Sequence, residues 1–84
     1  MKQVTLYTTG SCAYCVSAKT LLERRGIPYQ EINLARDPDG RAALSKVTGM
    51  YTFPQLMIDD RAIGGFNELR AADRTGELQE LLAA

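Results

Sequence analysis

Residues 4–22, Val4-Thr5-Leu6-Tyr7-Thr8-Thr9-Gly10-Ser11-Cys12-Ala13-Tyr14-Cys15-Val16-Ser17-Ala18-Lys19-Thr20-Leu21-Leu22, decide the fold. The stretch begins with alternation: Val4 and Leu6 sit between polar or amphipathic neighbours. That is the period of a half-buried strand, expected over residues 3–8. Thr9-Gly10-Ser11 breaks the pattern, and Ser11 is a good helix N-cap. From residue 12 to 25 the apolar side chains fall at Tyr14, Ala18, Leu21 and Leu22, a helical spacing. Gly26 and Pro28 end that helix. Ile27, Tyr29, Ile32 and Leu34 then predict a second strand over residues 27–34. Strand, helix and strand in this order imply two parallel strands joined by a right-handed crossover.

Downstream, Asp37-Pro38 is an N-cap followed by a first-turn proline. It opens a helix over residues 38–48 that is expected to bury Ala43, Leu44 and Val47, with Gly49 ending it. Residues 54–58 read as a third strand and 61–63 as a fourth, joined by a turn at Asp59-Asp60 and close enough to pair antiparallel. Gly64-Gly65 leads into a helix over residues 66–74. Gly76 separates it from a last helix, 77–83, with Leu78, Leu81 and Leu82 as its apolar stripe. The order is βαβαββα plus a C-terminal helix: an α/β class protein with a small four-stranded mixed sheet flanked by helices. Neither a repeat nor a linker interrupts it, so residues 1–84 are expected to form one domain.

A chain of 84 residues buries only about 60–65% of the surface its unfolded form exposes, so its core is a few apolar layers deep. Ten Lys and Arg cancel ten Asp and Glu, and no basic cluster exceeds Arg24-Arg25. This balance argues against nucleic acid as a partner. The polar, alternating first residues lack the apolar core of a signal peptide. No stretch approaches the roughly 20 apolar residues of a membrane span. The expected setting is the cytoplasm, where thiols are kept reduced. Histidine is absent, which removes the commonest general base and the commonest metal ligand.

Cys12-Ala13-Tyr14-Cys15 carries the chemistry. A C-x-x-C that follows a strand and opens a helix within a strand–helix–strand pattern reads as a redox motif. With Ser11 as cap, Cys12 would take the first helical position and Cys15 would lie on the same face one turn in. The free N–H groups and positive end of the helix favour a thiolate at Cys12, and a thiolate is the species that attacks a disulfide. Cys15, deeper in the helix, would stay a thiol until it resolves the mixed disulfide. A structural zinc site needs four ligands; two cysteines and no histidine exclude a closed one within one chain, so no metal site is expected. A zinc site shared between two chains and a pair of idle buried cysteines stay open. A static disulfide over so short a loop would constrain the unfolded chain little.

Cys12-Ala13-Tyr14-Cys15, Thr52-Phe53-Pro54-Gln55 and Ile63-Gly64-Gly65 together resemble the dithiol glutaredoxin family, whose usual pattern is C-P-Y-C, then T-V-P, then G-G followed by a polar pair. Order, spacing and length match from about Val4 to Leu82. The resemblance implies a thioredoxin fold with Pro54 as a cis proline facing the cysteines; from the residues alone Pro54 could equally be trans at a strand start. It also implies a glutathione-dependent thiol–disulfide oxidoreductase that reduces protein disulfides and glutathione mixed disulfides. Catalysis would rest on Cys12 and Cys15.

Glutathione would be a co-substrate rather than a tightly held cofactor. Tyr14 would flank its cysteinyl part, and Thr52, Phe53 and Pro54 its backbone. Gly65, Phe66, Asn67 and Glu68 would meet its γ-glutamyl end, with Glu68 placed to pair with the amino group. Arg41 is a candidate cation for the glycyl carboxylate. Disulfide-containing or glutathionylated proteins would be the other partners, and the chain is expected to act as a monomer.

Three positions depart from the family pattern: Ala13 for the motif proline, Thr9 for a lysine, and Phe66-Asn67 for a small or polar residue and an acid. Two other readings stay open. One is a redoxin reduced by a thioredoxin reductase and serving ribonucleotide reductase. The other is a protein holding an iron–sulfur cluster with glutathione as ligand.

Overall fold

The computed structural model describes residues 1–83. Strands β1 (Val4–Thr8), β2 (Gln30–Asn33), β3 (Gln55–Ile58) and β4 (Arg61–Gly64) alternate with helices α1 (Ala13–Arg24), α2 (Pro38–Thr48), α3 (Phe66–Thr75) and α4 (Glu77–Leu82). They build a four-stranded sheet in the order β2-β1-β3-β4. β1 runs parallel to β2, with Thr5 opposite Gln30 and Thr8 opposite Asn33. It runs antiparallel to β3, with Val4 opposite Ile58 and Leu6 opposite Leu56. β4 returns antiparallel along β3, with an irregularity between Leu56 and Met57. This is the mixed sheet expected from the element order, and the thioredoxin fold that the resemblance implied.

Alternation along the strands divides the molecule into two unequal cores. On one face, Val4, Leu6, Leu56 and Ile58 pack with Ala18 and Leu22 of α1, Leu69 and Ala72 of α3, and Leu78 and Leu82 of α4. On the other, Leu34, Leu44 and Met57 form a small cluster flanked by Tyr7, Ile32 and Phe53. Only one residue of α2, Leu44, is buried. The expectation that Ala43 and Val47 would be buried as well is corrected: Ala43 is exposed and Val47 is 71% exposed. The apolar stripe of α2 is narrow because it covers one small cluster and not the full width of the sheet.

The punctuation is as expected at most element ends. Asp37 caps α2 by accepting the Gly40 N–H at 2.8 Å. Gly49 closes the helix at φ 74°, a left-handed conformation that glycine adopts without steric cost. β2 is shorter than the residues suggested. Pro28 has no N–H to give to a ladder, and the Ile27 N–H bonds back to the Leu22 carbonyl at 2.9 Å. Residues 27–29 are thus part of the α1 exit, and pairing begins at Gln30.

Tyr29, in that exit, donates its hydroxyl to Glu23 at 2.8 Å. Partial burial of the ring, then the bond to Glu23 and the charges of Glu23 and Glu31, push its phenol up to about 12. The ordinary value is about 10. Neutral Tyr29 therefore favours the folded chain below about pH 10, and this contribution is lost as pH rises through about 12. Ultraviolet titration of the four tyrosines should show one ionising late, and Glu23→Gln should bring it back toward the others.

Candidate active site

β1 delivers the chain to Thr9, and Gly10-Ser11 turns it into α1. Ser11 takes φ 49°, a left-handed turn conformation, and so is not the helix cap. The cap is Cys12, extended at φ −119° and ψ 102°, with α1 starting at Ala13. The sequence placed the helix start one residue early because serine is the better N-cap by residue type. Here the cap is a sulfur: Cys12 Sγ accepts the Cys15 N–H at 3.1 Å, and the Cys12 carbonyl takes the first helical bond, from Val16 N–H, at 3.2 Å.

Cys12 and Cys15 are joined as a disulfide, with Cα atoms 5.2 Å apart. Cys15 is 2% exposed, whereas Cys12 is half-buried. When the bond is reduced, the N–H that points at Cys12 Sγ stabilises a thiolate there, as a charge-assisted hydrogen bond at the positive end of the helix. Among the described residues Cys15 Sγ meets no such donor, and the residue is buried.

Facing the pair is the segment before β3. The Phe53–Pro54 peptide bond is cis, as the resemblance implied and the residues alone did not decide. The Phe53 carbonyl oxygen lies 3.7 Å from Cys12 Sγ. Beside it is a groove of about 340 Å³ lined by Tyr14, Met50, Thr52, Phe53, Pro54, Gly65, Phe66, Asn67 and Glu68. The candidate glutathione contacts of the sequence, Arg41 excepted, are thus brought to one place. Met50 joins them unforeseen; nothing in its residue type separates a groove wall from a core methionine. Tyr14 is 63% exposed and stacks on Phe66, ring centroids 5.9 Å apart. It belongs to the groove, although the helical spacing had grouped it with the buried stripe of α1. Arg70 lies 5.6 Å from the Phe66 ring, so the guanidinium steadies this wall by a cation–π contact.

At the far end, Gly65 caps α3. Glu68 Oε1 accepts the Gly65 N–H at 2.7 Å, so this carboxylate holds its own helix start and is engaged before any ligand arrives. The N–H groups of Phe66 and Asn67, in the first turn of α3, have no intrahelical acceptor. Arg41 does not line the groove. Its Nη1 donates to the carbonyls of Leu34 and Ala35, tying the start of α2 to the β2 exit.

Gly64 must be glycine. Its φ is 136°, and a Cβ there would sit 2.6 Å from Glu68 Cγ and 2.7 Å from Glu68 Oε1. Gly64→Ala should lower stability by about 1–3 kcal/mol, the usual cost of such backbone strain. It should also push Glu68 off the Gly65 N–H. Thermal unfolding and the KM for a groove ligand should both change; a variant with the parent's Tm and KM would refute this reading of the turn.

A strand-to-helix C-x-x-C opposite a cis proline on a four-stranded mixed sheet defines a thiol–disulfide oxidoreductase of thioredoxin fold. The comparisons narrow the class. A family model described as Glutaredoxin matches residues 4–63. The chain is 43% identical over 84 residues to the glutaredoxin of Pseudomonas aeruginosa, with all of both chains covered. It is 39% identical over 82 residues to glutaredoxin 3 of Escherichia coli, covering 98% of this chain and 99% of that protein. Among solved structures, the buckwheat glutaredoxin–glutathione complex superposes with a TM-score of 0.87 at 32% identity, covering 96% of this chain and 76% of that one. The chain belongs to the glutaredoxin family.

Proposed function

We propose that this chain reduces glutathione mixed disulfides and protein disulfides at the expense of glutathione. The reading is carried by one observation: the sulfur of half-buried Cys12, which caps α1, lies 3.7 Å from the carbonyl of Phe53 in a groove lined also by Tyr14, Thr52, Pro54, Gly65, Phe66, Asn67 and Glu68. A related glutaredoxin of the same fold was solved as a glutathione complex, which supports the ligand.

On a mixed disulfide, the Cys12 thiolate attacks the glutathione sulfur, and the other thiol leaves and takes a proton. The Cys12–glutathione disulfide is then attacked by a second glutathione thiolate, giving glutathione disulfide and free Cys12. On a protein disulfide, the Cys12 thiolate attacks one sulfur, the protein S–S bond breaks, and the other protein sulfur leaves and takes a proton. Cys15, deprotonated, attacks Cys12 Sγ, releases the first protein sulfur and closes the Cys12–Cys15 disulfide. Two glutathione molecules reopen it. Thr52, Phe53 and Pro54 would hold the peptide of glutathione, Tyr14 and Phe66 would flank its thiol end, and the Phe66 and Asn67 N–H groups would receive its γ-glutamyl carboxylate. Glu68 would receive the amino group with its second carboxylate oxygen while the first keeps the Gly65 N–H. The setting is the reducing cytoplasm, and the acting unit is one chain.

The test is turnover of a glutathionylated peptide with glutathione and glutathione reductase as the electron supply. Steady consumption of the reductase's electron donor is expected. No turnover there, with rapid reduction by a thioredoxin reductase instead, would overturn the assignment of glutathione as reductant.

A further inference from the structure

Gln55 is a polar side chain in the core, 1% exposed, on the first residue of β3. All of its bonding capacity is turned toward the segment that precedes the cis proline. Its Nε2 donates to the carbonyls of Thr52 at 3.0 Å and Met50 at 3.2 Å, and its Oε1 accepts the Thr48 hydroxyl at 2.9 Å. The partners force this orientation of the amide: two carbonyls can meet only the NH₂ group, and the hydroxyl completes the oxygen. Thr48 Oγ1 also accepts the Met50 N–H at 3.1 Å. One buried amide thus ties the end of α2, the Met50 turn and Thr52 to the sheet.

The bond to Thr52 has a directional consequence. The Thr52–Phe53 peptide is trans and planar, so its C=O and N–H point in opposite directions. With the Thr52 carbonyl drawn inward onto Gln55, the Phe53 N–H must face away from the core. Among the described residues it has no hydrogen-bond partner. Phe53 and Thr52 both line the groove beside Cys12.

We propose that Gln55 is a positioning residue for substrate: it locks the Thr52–Phe53 peptide plane so that the Phe53 N–H is presented as a free donor to the extended backbone of the bound disulfide. This rests on the reading that glutathione lies against Thr52 and Phe53. Without Gln55 the plane can rotate, and the donor is then available for only part of the time. The effect belongs to substrate grip and not to the nucleophile, because the donor to Cys12 Sγ is the Cys15 N–H in α1.

Gln55→Met keeps length and removes all three bonds. It should raise KM for a glutathionylated peptide about tenfold, the scale of one neutral hydrogen bond, with kcat within about twofold. The rate and pH midpoint of Cys12 alkylation by iodoacetamide should stay those of the parent. Parallel losses in alkylation and turnover, or no change in either, would overturn the proposal. A direct measurement covers the case in which the variant does not fold. In the wild type, the Phe53 amide should exchange with solvent faster than its neighbours in β3 and should shift on addition of S-methylglutathione. A Phe53 amide that is protected in the free protein overturns the proposal whatever the variant does. A wild type that fails to turn over the glutathionylated peptide sinks the functional reading instead, and the exchange rate of Phe53 still tests the geometry.

Discussion

Cys12→Ser is expected to bring turnover of every disulfide substrate down to the uncatalysed rate, a loss on the order of 10³-fold or more, as for removal of any sole nucleophile. A serine hydroxyl in the capping position still accepts the Cys15 N–H, so the helix start survives. What is lost is an ionisable group that can form a disulfide. Cys15→Ser should behave differently. It should keep turnover of glutathione mixed disulfides, because glutathione itself resolves the Cys12 adduct, and it should lose reduction of protein disulfides, because the internal resolving sulfur is gone. Iodoacetamide should modify Cys12 in the reduced protein with a midpoint below the roughly 8.5 of a free thiol. It should leave Cys15, at 2% exposure, untouched until the chain unfolds. Equal activity in both variants, or alkylation of Cys12 with the pH profile of an ordinary thiol, would remove the basis for assigning the two roles.

Leu22→Ala is expected to be the most damaging substitution away from the cysteines. Leu22 is fully buried where α1, α3 and α4 meet the sheet. Removing three carbons from such a site costs about 2–5 kcal/mol, from lost transfer energy and the cavity left behind. An 84-residue chain has a total stability of roughly 4–13 kcal/mol, so this is a large share of it. At about 4–8 °C per kcal/mol for a chain of this size, Tm should fall by about 8–40 °C. Val47→Ala, on the exposed face of α2, is the matched control and should stay within about 0.5 kcal/mol of the parent. If the two shifts were similar, the division between core and surface drawn from this fold would be wrong.

The difference between Leu22 and Val47 also shows where the sequence was readable. Both are apolar and both recur at helical spacing. Periodicity identifies a helix and proposes a stripe, but it cannot say how wide a surface that stripe will cover. α1 lies across two strands and two other helices, while the one buried residue of α2, Leu44, meets only Leu34 and Met57 among the buried residues of its cluster. The cysteine motif, the Gly and Pro punctuation and the order of strands and helices along the chain were legible because each depends on local backbone chemistry or on a short connection.

The helix start moved by one residue because the left-handed turn at Ser11 is set by how β1 meets α1, not by capping preference. Gln55 was read as part of a motif and not as a buried anchor. Its partners at Thr48, Met50 and Thr52 come together only once α2 and β3 are both in place. Glu68 was readable as an acid near the groove, yet its engagement with Gly65 depends on the φ of Gly64, which residue type alone does not fix.

The two faces of the sheet are unequally roofed, and the site straddles the difference. Cys12 and Cys15 belong to a helix anchored through Ala18 and Leu22 in the larger core, whereas Phe53 rests on the small cluster under α2. A helix held down by so little apolar area opens at a lower free energy than the molecule as a whole. Each such opening frees the floor of the groove and leaves the sulfurs in place. On warming, the Thr52–Pro54 side of the groove is therefore expected to loosen before the end that carries the sulfurs, which amide exchange followed against temperature would show.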